Sequence, residues 1–309
     1  MKTSTRDDYL DRIRRVLRFV QDHLDEPLTP DRLAGVAHFS RFHFHRVFSG
    51  LVGESLSAHV RRLRLERAAG ELRWTGRPVI DIALDAGYDA PEPFTRAFRG
   101  HFGEPPTRFR ARRDPIAFPP ATCRVHFGID DAISRFAAPK EPIMIDVRID
   151  TLPTRRLLAI EHRGHYMTIG ETFGRLTALA YGRGLARPGA ASIGIYYDDP
   201  DVVPTAQLRS HACIAVGDDV TSAPDGCELL TLVGGEMAIA THRGPYARLN
   251  ETYRELYSQW LPASGREAAH CLCHETYVSD ATTTQEAELI TEICLPLVPL
   301  ATPVAVGRV

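Results

Sequence analysis

The chain has 309 residues, of which 44% are hydrophobic and 25% are charged, and its net charge is -2 at neutral pH. A single hydrophobic core rarely grows to this length, so two domains are expected. The first residues are charged where a signal peptide would be apolar, and no apolar run reaches the roughly 18 residues of a membrane span, which predicts a cytoplasmic protein that makes no membrane contact.

Charge and cysteine are distributed unevenly along the chain. Residues 1 to 113 hold 21 Lys and Arg against 15 Asp and Glu, whereas the remainder holds 16 against 24. A basic first part suits a polyanionic partner. The six cysteines lack the dense spacing of a secreted disulfide scaffold, so reduced thiols are expected.

The basic part begins with a pattern typical of helix, turn and helix. Apolar residues from Leu10 to Leu24 recur at steps of three and four, which predicts an amphipathic helix. Thr29 and Pro30 form a helix-start signal for a short helix that ends near residue 37. A further helix is predicted from Ser40 to Leu51.

This pattern is repeated further along the basic part. The segment "FHRVFSGLVGE" (44 to 54) returns as "FTRAFRGHFGE" (94 to 104). The second copy is predicted to contain a helix over 79 to 87 and a second helix that begins near Asp89. A long helix over 55 to 74 joins the two copies.

The span from about Leu10 to Arg110, and above all "AGYDAPEPFTRAFRGHFGEPPTRFR", resembles the DNA-binding domain of the AraC/XylS transcription regulators. The resemblance implies an all-α double helix-turn-helix domain over residues 1 to 113, whose second helices enter successive major-groove faces of promoter DNA. It assigns base-edge contacts to Phe42, His45, Arg46, Glu92, Thr95 and Arg96. It assigns contacts with the DNA backbone to Arg41, Arg61, Arg62 and Arg99.

Purely structural alternatives to these assignments stay open. Glu92 also fits a capping box with Asp89 at a helix start. The arginines between 61 and 67 also fit a solvated helix face. His38, His43 and His45 are possible metal ligands, but no fourth ligand lies nearby, so no metal is predicted.

Residues 114 to 142 contain five prolines and no sustained period, which predicts a linker. Its apolar residues predict that the linker packs on a domain surface instead of forming a flexible tether.

The acidic part contains a second internal repeat. The segment "IEHRGHYMTIGETFGRL" (160 to 176) returns as "ATHRGPYARLNETYREL" (240 to 256). Each copy predicts a strand, a glycine turn and an amphipathic helix. Two copies suit one pseudo-twofold α+β domain, in which an antiparallel curved sheet carries two helices. Further strands are predicted over 143 to 150, 193 to 199, 211 to 217, 227 to 233, 270 to 278 and 287 to 297.

These segments, together with "GIYYDDP", "ETYVSD" and "TEICLPL", resemble the GyrI-like effector domain, which also forms the C-terminal part of Rob-type members of the AraC/XylS family. The resemblance assigns residues 143 to 309 to this domain. It implies a cleft between the two halves that takes up a small aromatic effector, often cationic or hydrophobic.

A ligand site is predicted on the late strands. Strand alternation places Cys271, Cys273, Glu275 and Tyr277 on one face, and a carboxylate in an apolar, aromatic cavity attracts a desolvated cation. Glu275 is the first candidate for this role and Glu292 the second; the alternative is that either one caps a backbone N-H or lies in solvent. The aromatic candidates are Tyr166, Tyr196, Tyr197, Tyr246, Trp260 and Tyr277.

Catalytic and metal sites are not predicted. His162 and His242 recur without a repeated nucleophile, so the "HRG" motif is interpreted as a strand end and turn. In "HCLCH" (270 to 274), alternation on a strand would point the cysteines away from the histidines, which disfavours zinc.

The combined prediction is a transcription regulator without a cofactor, whose partners are promoter DNA, a small-molecule effector and RNA polymerase. The alternative is a GyrI-like hydrolase or drug-sequestering protein whose DNA-binding domain serves autoregulation.

Overall fold

A computed structural model describes residues 5 to 112, 114 to 137, 145 to 198, 200 and 203 to 300. The chain divides into two compact units, Met1–Glu141 and Pro142–Val309. Within the described residues, every helix is too short or too polar to cross a membrane.

The described part of the first unit is helical, which confirms the predicted all-α class. Its helices are α1 (Thr5–Asp22), α2 (Pro30–Ala37), α3 (Phe44–Val52), α4 (Leu56–Trp74), α5 (Val79–Asp85), α6 (Pro91–Phe102), α7 (Pro106–Ala111) and α8 (Asp130–Ser134). The predicted start of α2 is confirmed, because the Thr29 hydroxyl accepts the Arg32 N-H and Pro30 occupies the first turn.

Helix α3 begins four residues later than predicted. Residues 41 to 43 form a turn, in which the Ser40 hydroxyl accepts the Phe42 N-H at 3.3 Å. Phe44, Val47, Phe48 and Leu51 recur at the i, i+3, i+4 and i+7 positions of one helix face, and all four are buried. Phe42 therefore lies just before the helix and not on it.

The second copy of the motif consists of α5, a tight turn and α6. Gly87 has a φ of +84°, a backbone conformation that favours glycine. Phe94 and Phe98 of α6 enter a core cluster with Leu65 and other residues of α4. This packing sets which face of α6 remains exposed.

Residues 114 to 137 pack on the helices, as their apolar residues predicted. Cys123, Val125, Ile133 and Phe136 are buried. Residues 138 to 142, the remainder of the predicted linker, lie outside the described residues.

The second unit is α+β, as predicted. Its strands are β1 (Asp146–Leu152), β2 (Arg155–Arg163), β3 (Ser192–Tyr196), β4 (Arg209–Val216), β5 (Glu228–Leu232), β6 (Gly235–Arg243), β7 (His274–Tyr277) and β8 (Ile290–Pro296). In the described residues they form one antiparallel sheet in the order β1-β6-β8-β7-β3-β4-β2-β5. Residues 143, 144 and 301 to 309, which belong to the predicted domain, lie outside the described residues.

Helices cover one face of this sheet. Helix α9 (Ile169–Gly182) packs against β2 and β4, and α10 (Leu249–Glu255) packs against β6. The chain continues from α10 through a π-helical turn, Leu256–Trp260, into the short α11 (Leu261–Ala263).

The repeat seen in the sequence is a structural pseudo-twofold. The strand order is symmetric about the β7-β3 pair, and β2 matches β6, with Glu161 equivalent to Thr241. Glu161 pairs with His211 of β4, whereas its equivalent pairs with Glu292 of β8. The number of chain positions between equivalent residues is therefore one larger for the β4 and β8 pair than for the β2 and β6 pair. The first strands are exchanged, since β1 pairs with β6 and β5 pairs with β2.

Candidate functional site

Helix α6 presents a charged face opposite its core face. Glu92, Arg96 and Arg99 are exposed, and Thr95 is half-buried beside them. The residue that caps α6 is Ala90, which has no side-chain acceptor, so the capping-box alternative for Glu92 is wrong. Glu92 instead lies in solvent in the first turn.

The first helix-turn-helix copy presents a less open surface. His45 and Arg46 are half-buried on α3, and Arg41 is exposed with its guanidinium 4.7 Å from the centre of the Phe42 ring. Burial, and then the charge of Arg46, lowers the pKa of His45 to about 3. His45 is therefore neutral at pH 7 and can offer a hydrogen bond but no positive charge.

Arg62 does not belong to this surface, although Arg61 beside it is exposed. Its guanidinium is buried and donates to Glu54 Oε1 at 2.6 Å, to Glu66 Oε1 at 2.9 Å and to the Val125 carbonyl at 2.9 Å. The assignment of Arg62 to the DNA backbone is therefore wrong, since its donors are committed inside the unit.

In the second unit, Glu275 lies at the centre of a polar relay. Its side chain is on β7, it is only 5% exposed, and its two oxygens accept the hydroxyls of Tyr253 at 3.0 Å and Tyr277 at 2.9 Å. The Tyr277 oxygen lies 2.6 Å from that of Tyr196. Because the Tyr277 proton points to Glu275, Tyr196 must be the donor in that last pair.

Aromatic rings linked by mutual contacts continue from this carboxylate and form what is here called the tyrosine cage: Tyr166, Phe173, Tyr196, Tyr246, Tyr253 and Tyr277. Ring centres are 4.8 Å apart for Tyr166 and Tyr196, and 5.4 Å apart for Tyr246 and Tyr277. Phe173 meets the Tyr277 ring edge-on at 5.3 Å. Burial, and then the charge of Glu275, raises the pKa of Tyr196 and Tyr277 well above the ordinary value for tyrosine, so both keep their protons.

The ring positions of the cage are symmetric, but Phe173 is the counterpart of Tyr253, and the acid has no acidic counterpart. Ile195 of β3 pairs with His211 of β4, and Thr276 of β7 pairs with Glu292 of β8. Because His211 and Glu292 are equivalent, Ile195 and Thr276 are equivalent too, and β3 and β7 show the same larger spacing between equivalent residues as β4 and β8. Gly194 is therefore the counterpart of Glu275. The hydrogen-bonded tyrosines of β3 and β7 are likewise counterparts.

Gly194 and Glu275 also face each other across the strands. A Cβ at Gly194 would lie 2.8 Å from the Tyr277 hydroxyl and 2.9 Å from Tyr196 Cε2. One side of the axis thus supplies a carboxylate, and the other leaves room for the rings.

Three predicted cage residues lie elsewhere. Glu292 is the cross-strand partner of Thr276, so it lies on the face opposite Glu275, where it is bound by Arg148 at 2.8 Å. Tyr197 follows Tyr196 and turns to the same opposite face, with its ring 5.3 Å from that of His211. Trp260 is half-buried in the π-helical turn, and among the described residues it is not one of the rings that pair within the cage.

The repeated histidines fasten the turn to the following helix. His162 Nδ1 lies 3.1 Å from Thr172 Oγ1, and His242 Nδ1 lies 2.8 Å from Thr252 Oγ1. The other ring nitrogen of His242 lies 3.1 Å from the Pro245 carbonyl. The interpretation of "HRG" as a strand end and turn is confirmed.

The "HCLCH" segment is mostly outside the sheet, because β7 begins only at His274. Strand alternation therefore says nothing about Cys271 and Cys273. His274 is buried, its Nδ1 lacks a hydrogen-bond partner in the described residues, and burial followed by the charge of Arg155 lowers its pKa to about 4.

Sequence reasoning missed Tyr253, Phe173 and Gly194. Tyr253 and Phe173 occupy equivalent positions in the two copies of the repeat, directly after the repeated threonines. A tyrosine in the apolar stripe of α10 is the signal that marks Tyr253, because a buried hydroxyl needs a partner. Gly194 has no such signal, since its role depends on rings from another strand.

Comparison with known proteins decides the family of the chain. A helix-turn-helix domain model matches residues 33 to 112. The regulatory protein SoxS of Salmonella typhimurium is 36% identical over 100 residues, which are 32% of this chain and 94% of SoxS. The chain belongs to the AraC/XylS family of transcription regulators.

This AraC/XylS regulator also carries a GyrI-like domain, because the model described as a GyrI-like small molecule binding domain matches residues 145 to 298. The transcriptional regulator Rob of Salmonella typhimurium and the right origin-binding protein of Escherichia coli are each 39% identical to it over 106 residues. That match covers 34% of this chain, and the chain spans only 37% of the length of either relative.

Proposed function

We propose that this AraC/XylS regulator binds promoter DNA through α3 and α6, and that its GyrI-like domain binds a lipophilic, aromatic cation that changes this activity. RNA polymerase is the partner that a promoter-bound regulator implies. The observation that carries the effector half of the proposal is the single buried carboxylate of Glu275 inside a cage of aromatic rings.

The DNA half rests on the exposed face of α6. Arg96 is exposed on a helix whose opposite face is anchored by Phe94 and Phe98, so the guanidinium is held on a rigid support. Arginine pairs with guanine O6 and N7 in the major groove, and we assign the exposed Arg99 to a phosphate contact. The half-buried His45 and Arg46 of α3 offer a smaller reading surface in the first helix-turn-helix copy.

The cation half rests on electrostatics in a desolvated site. A unit charge 4 Å from the Glu275 carboxylate gains about 4 kcal/mol at an effective dielectric constant of about 20, and each aromatic face adds about 0.5 to 2 kcal/mol. Both carboxylate oxygens already accept hydroxyls, so a cation that needs no hydrogen-bond acceptor fits best. Delocalised or quaternary cations have this property, whereas a primary ammonium would compete with Tyr253 and Tyr277.

We propose no enzymatic role. Glu275 and Glu292, the two carboxylates that a GyrI-like hydrolase would draw from these strands, lie on opposite faces of the sheet. Glu275 is held by two hydroxyl donors, and Glu292 by Arg148.

The effector half is tested with Glu275→Gln and its matched control Glu292→Gln. Calorimetry with tetraphenylphosphonium should show at least tenfold weaker binding for Glu275→Gln and no change for Glu292→Gln. Triphenylphosphine oxide, a neutral aromatic compound, should bind both variants alike. Equal losses of the cation and the neutral compound would remove the proposed electrostatic role of Glu275.

The DNA half is tested with duplexes that the full chain enriches from a randomised library. Arg96→Ala should weaken binding by about 1 to 3 kcal/mol and relax the sequence preference at one position. Arg187→Ala is the charge control, since Arg187 is a highly exposed residue of the second unit. An unchanged footprint for Arg96→Ala would contradict the assignment of α6 as a reading helix.

A further inference from the structure

Residues 121 to 128, here called the strap, are fastened to the helical unit by buried polar groups. Glu66 of α4 is 1% exposed; its Oε2 accepts the Phe127 N-H at 2.8 Å, and its Oε1 lies 3.0 Å from His126 Nδ1. Arg62 donates to the Val125 carbonyl at 2.9 Å. The strap thus supplies partners to both members of a buried ion pair.

A second helix holds the backbone of the strap from another side. Gln21 of α1 donates from Nε2 to the His126 carbonyl at 3.1 Å, and its Oε1 accepts the Gly128 N-H at 2.9 Å. Thr122 packs against Gly53, where a Cβ would lie 2.5 Å from Thr122 Cγ2. Contacts from three parts of the helical unit therefore define the position of the strap.

The same buried charges reach both helix-turn-helix copies. Glu54, which follows α3, is bound by Arg62 at 2.6 Å and by His59 at 2.8 Å. His101 of α6 has its Nε2 4.0 Å from Glu66 Oε1, which is too far for a hydrogen bond, and Phe94 and Phe98 of α6 pack in one cluster with Leu65 of α4. The strap and the residue after α3 therefore meet in one network on α4, and α6 packs against the same helix.

A metal ion is not the centre of this network. Glu54, His59 and Cys123 place ligand atoms within 4.8 Å of one another. However, Arg62 Nη2 lies 2.6 Å from Glu54 Oε1, 3.1 Å from His59 Nδ1 and 3.5 Å from Cys123 Sγ. The guanidinium already takes the position and supplies the charge that a cation would bring.

Removal of the strap would leave this network short of partners. The Glu66 carboxylate would lose the Phe127 N-H and the His126 ring, and Arg62 would lose a carbonyl acceptor. Buried charged groups without partners are costly, so the helices around Glu66 must then move or admit water. Helix α6, which packs on α4 through Phe94 and Phe98 and whose His101 lies near this carboxylate, would move with them.

We infer that the strap is a coupling element for DNA binding: seated, it holds α3 and α6 in the arrangement that reads DNA, and its release lowers DNA affinity. This inference rests on the proposed DNA-binding function. The strap precedes the second unit in the chain, so a change in that unit has a covalent route to the network.

The test uses the full chain and a duplex that the wild type enriches from a randomised 30-base-pair library. Two variants release the strap: the double variant Gln21→Ala with His126→Ala, and a replacement of residues 121 to 128 by a Gly-Ser sequence of equal length. The matched control is Arg135→Ala, because Arg135 follows the strap and pairs only with the exposed Asp131 among the contacts described. Fluorescence anisotropy gives affinity, and hydrogen exchange gives the protection of the strap and α6.

Both strap variants should lose protection at residues 121 to 128 and in α6, and bind the duplex about tenfold more weakly, whereas Arg135→Ala should match the wild type. If the Gly-Ser replacement does not fold, the double variant alone decides. Affinity within twofold of the wild type, with the strap unprotected, overturns the inference, and so does protection that survives the substitutions. If the wild-type chain enriches no duplex, the proposed function is contradicted. Hydrogen exchange of α6 in the strap variants would then still show whether the position of the strap affects α6.

Discussion

Tyr253→Phe tests whether the relay around Glu275 contributes to the stability of the ligand-free domain. The substitution removes only the hydroxyl that donates to Glu275 Oε1 at 3.0 Å, and the 9% exposed ring can stay in its place. A hydrogen bond to a charged group is worth about 1.5 to 3 kcal/mol, and water has little access to a carboxylate that is 5% exposed. We expect the free energy of unfolding of the second unit to fall by about 2 kcal/mol.

The fluorescence of one tryptophan can report the unfolding of the second unit alone. Of its two tryptophans, Trp74 belongs to the first unit and is 74% exposed, so Trp74→Phe is a mild change that leaves Trp260 as the reporter of the second unit. Urea unfolding followed by Trp260 fluorescence then compares Tyr253→Phe with Tyr181→Phe, a control at an exposed tyrosine of α9. A loss below about 0.5 kcal/mol at unchanged urea dependence would refute the reasoning.

Three further predictions use the same assay or calorimetry. The pKa of His274 is lowered from 6.5 to about 4, so at pH 5 the unfolded chain binds a proton that the folded chain does not. The free energy of unfolding of the second unit should therefore fall by about 2 kcal/mol between pH 7 and pH 5. The substitution His274→Leu should remove that pH dependence. Gly194→Ala should weaken tetraphenylphosphonium binding at least tenfold, because its Cβ would meet the Tyr277 hydroxyl at 2.8 Å; unchanged affinity would show that the cage can yield. His242→Ala should cost about 1 to 2 kcal/mol and more than His162→Ala, since the former imidazole is the more buried, and an equal cost would contradict this ranking.

The architecture of both units could be predicted because local sequence patterns indicate it. Thr29 and Pro30 define the start of α2, the internal repeat of the basic part marks the second helix-turn-helix, and that of the acidic part marks the pseudo-twofold. The capping signal, and each single copy of a repeat, consists of residues close together in the chain. Helix propensity, capping and hydrophobic period act over that same short range.

The membership of the tyrosine cage depends on strand pairing instead. The number of positions between equivalent residues is one larger for β3 and β7 than for β2 and β6, and neighbouring residues of a strand lie on opposite faces of the sheet. This difference makes Gly194 the counterpart of Glu275. The motifs from which Glu292 and Tyr197 were predicted as effector-binding residues do not show which face of the sheet these residues occupy.

Local sequence patterns are enough to predict the two duplicated units, the basic and acidic division of the chain, and Glu275 as the first candidate acid. The hydroxyls that donate to that acid, and the arginines that reach solvent, depend on the folded chain. Arg61 and Arg62 are adjacent on one helix, yet Arg62 is buried between Glu54, Glu66 and the strap. A charge becomes buried when segments distant in the chain bring its partners to it, and such a partnership leaves no mark in local sequence period.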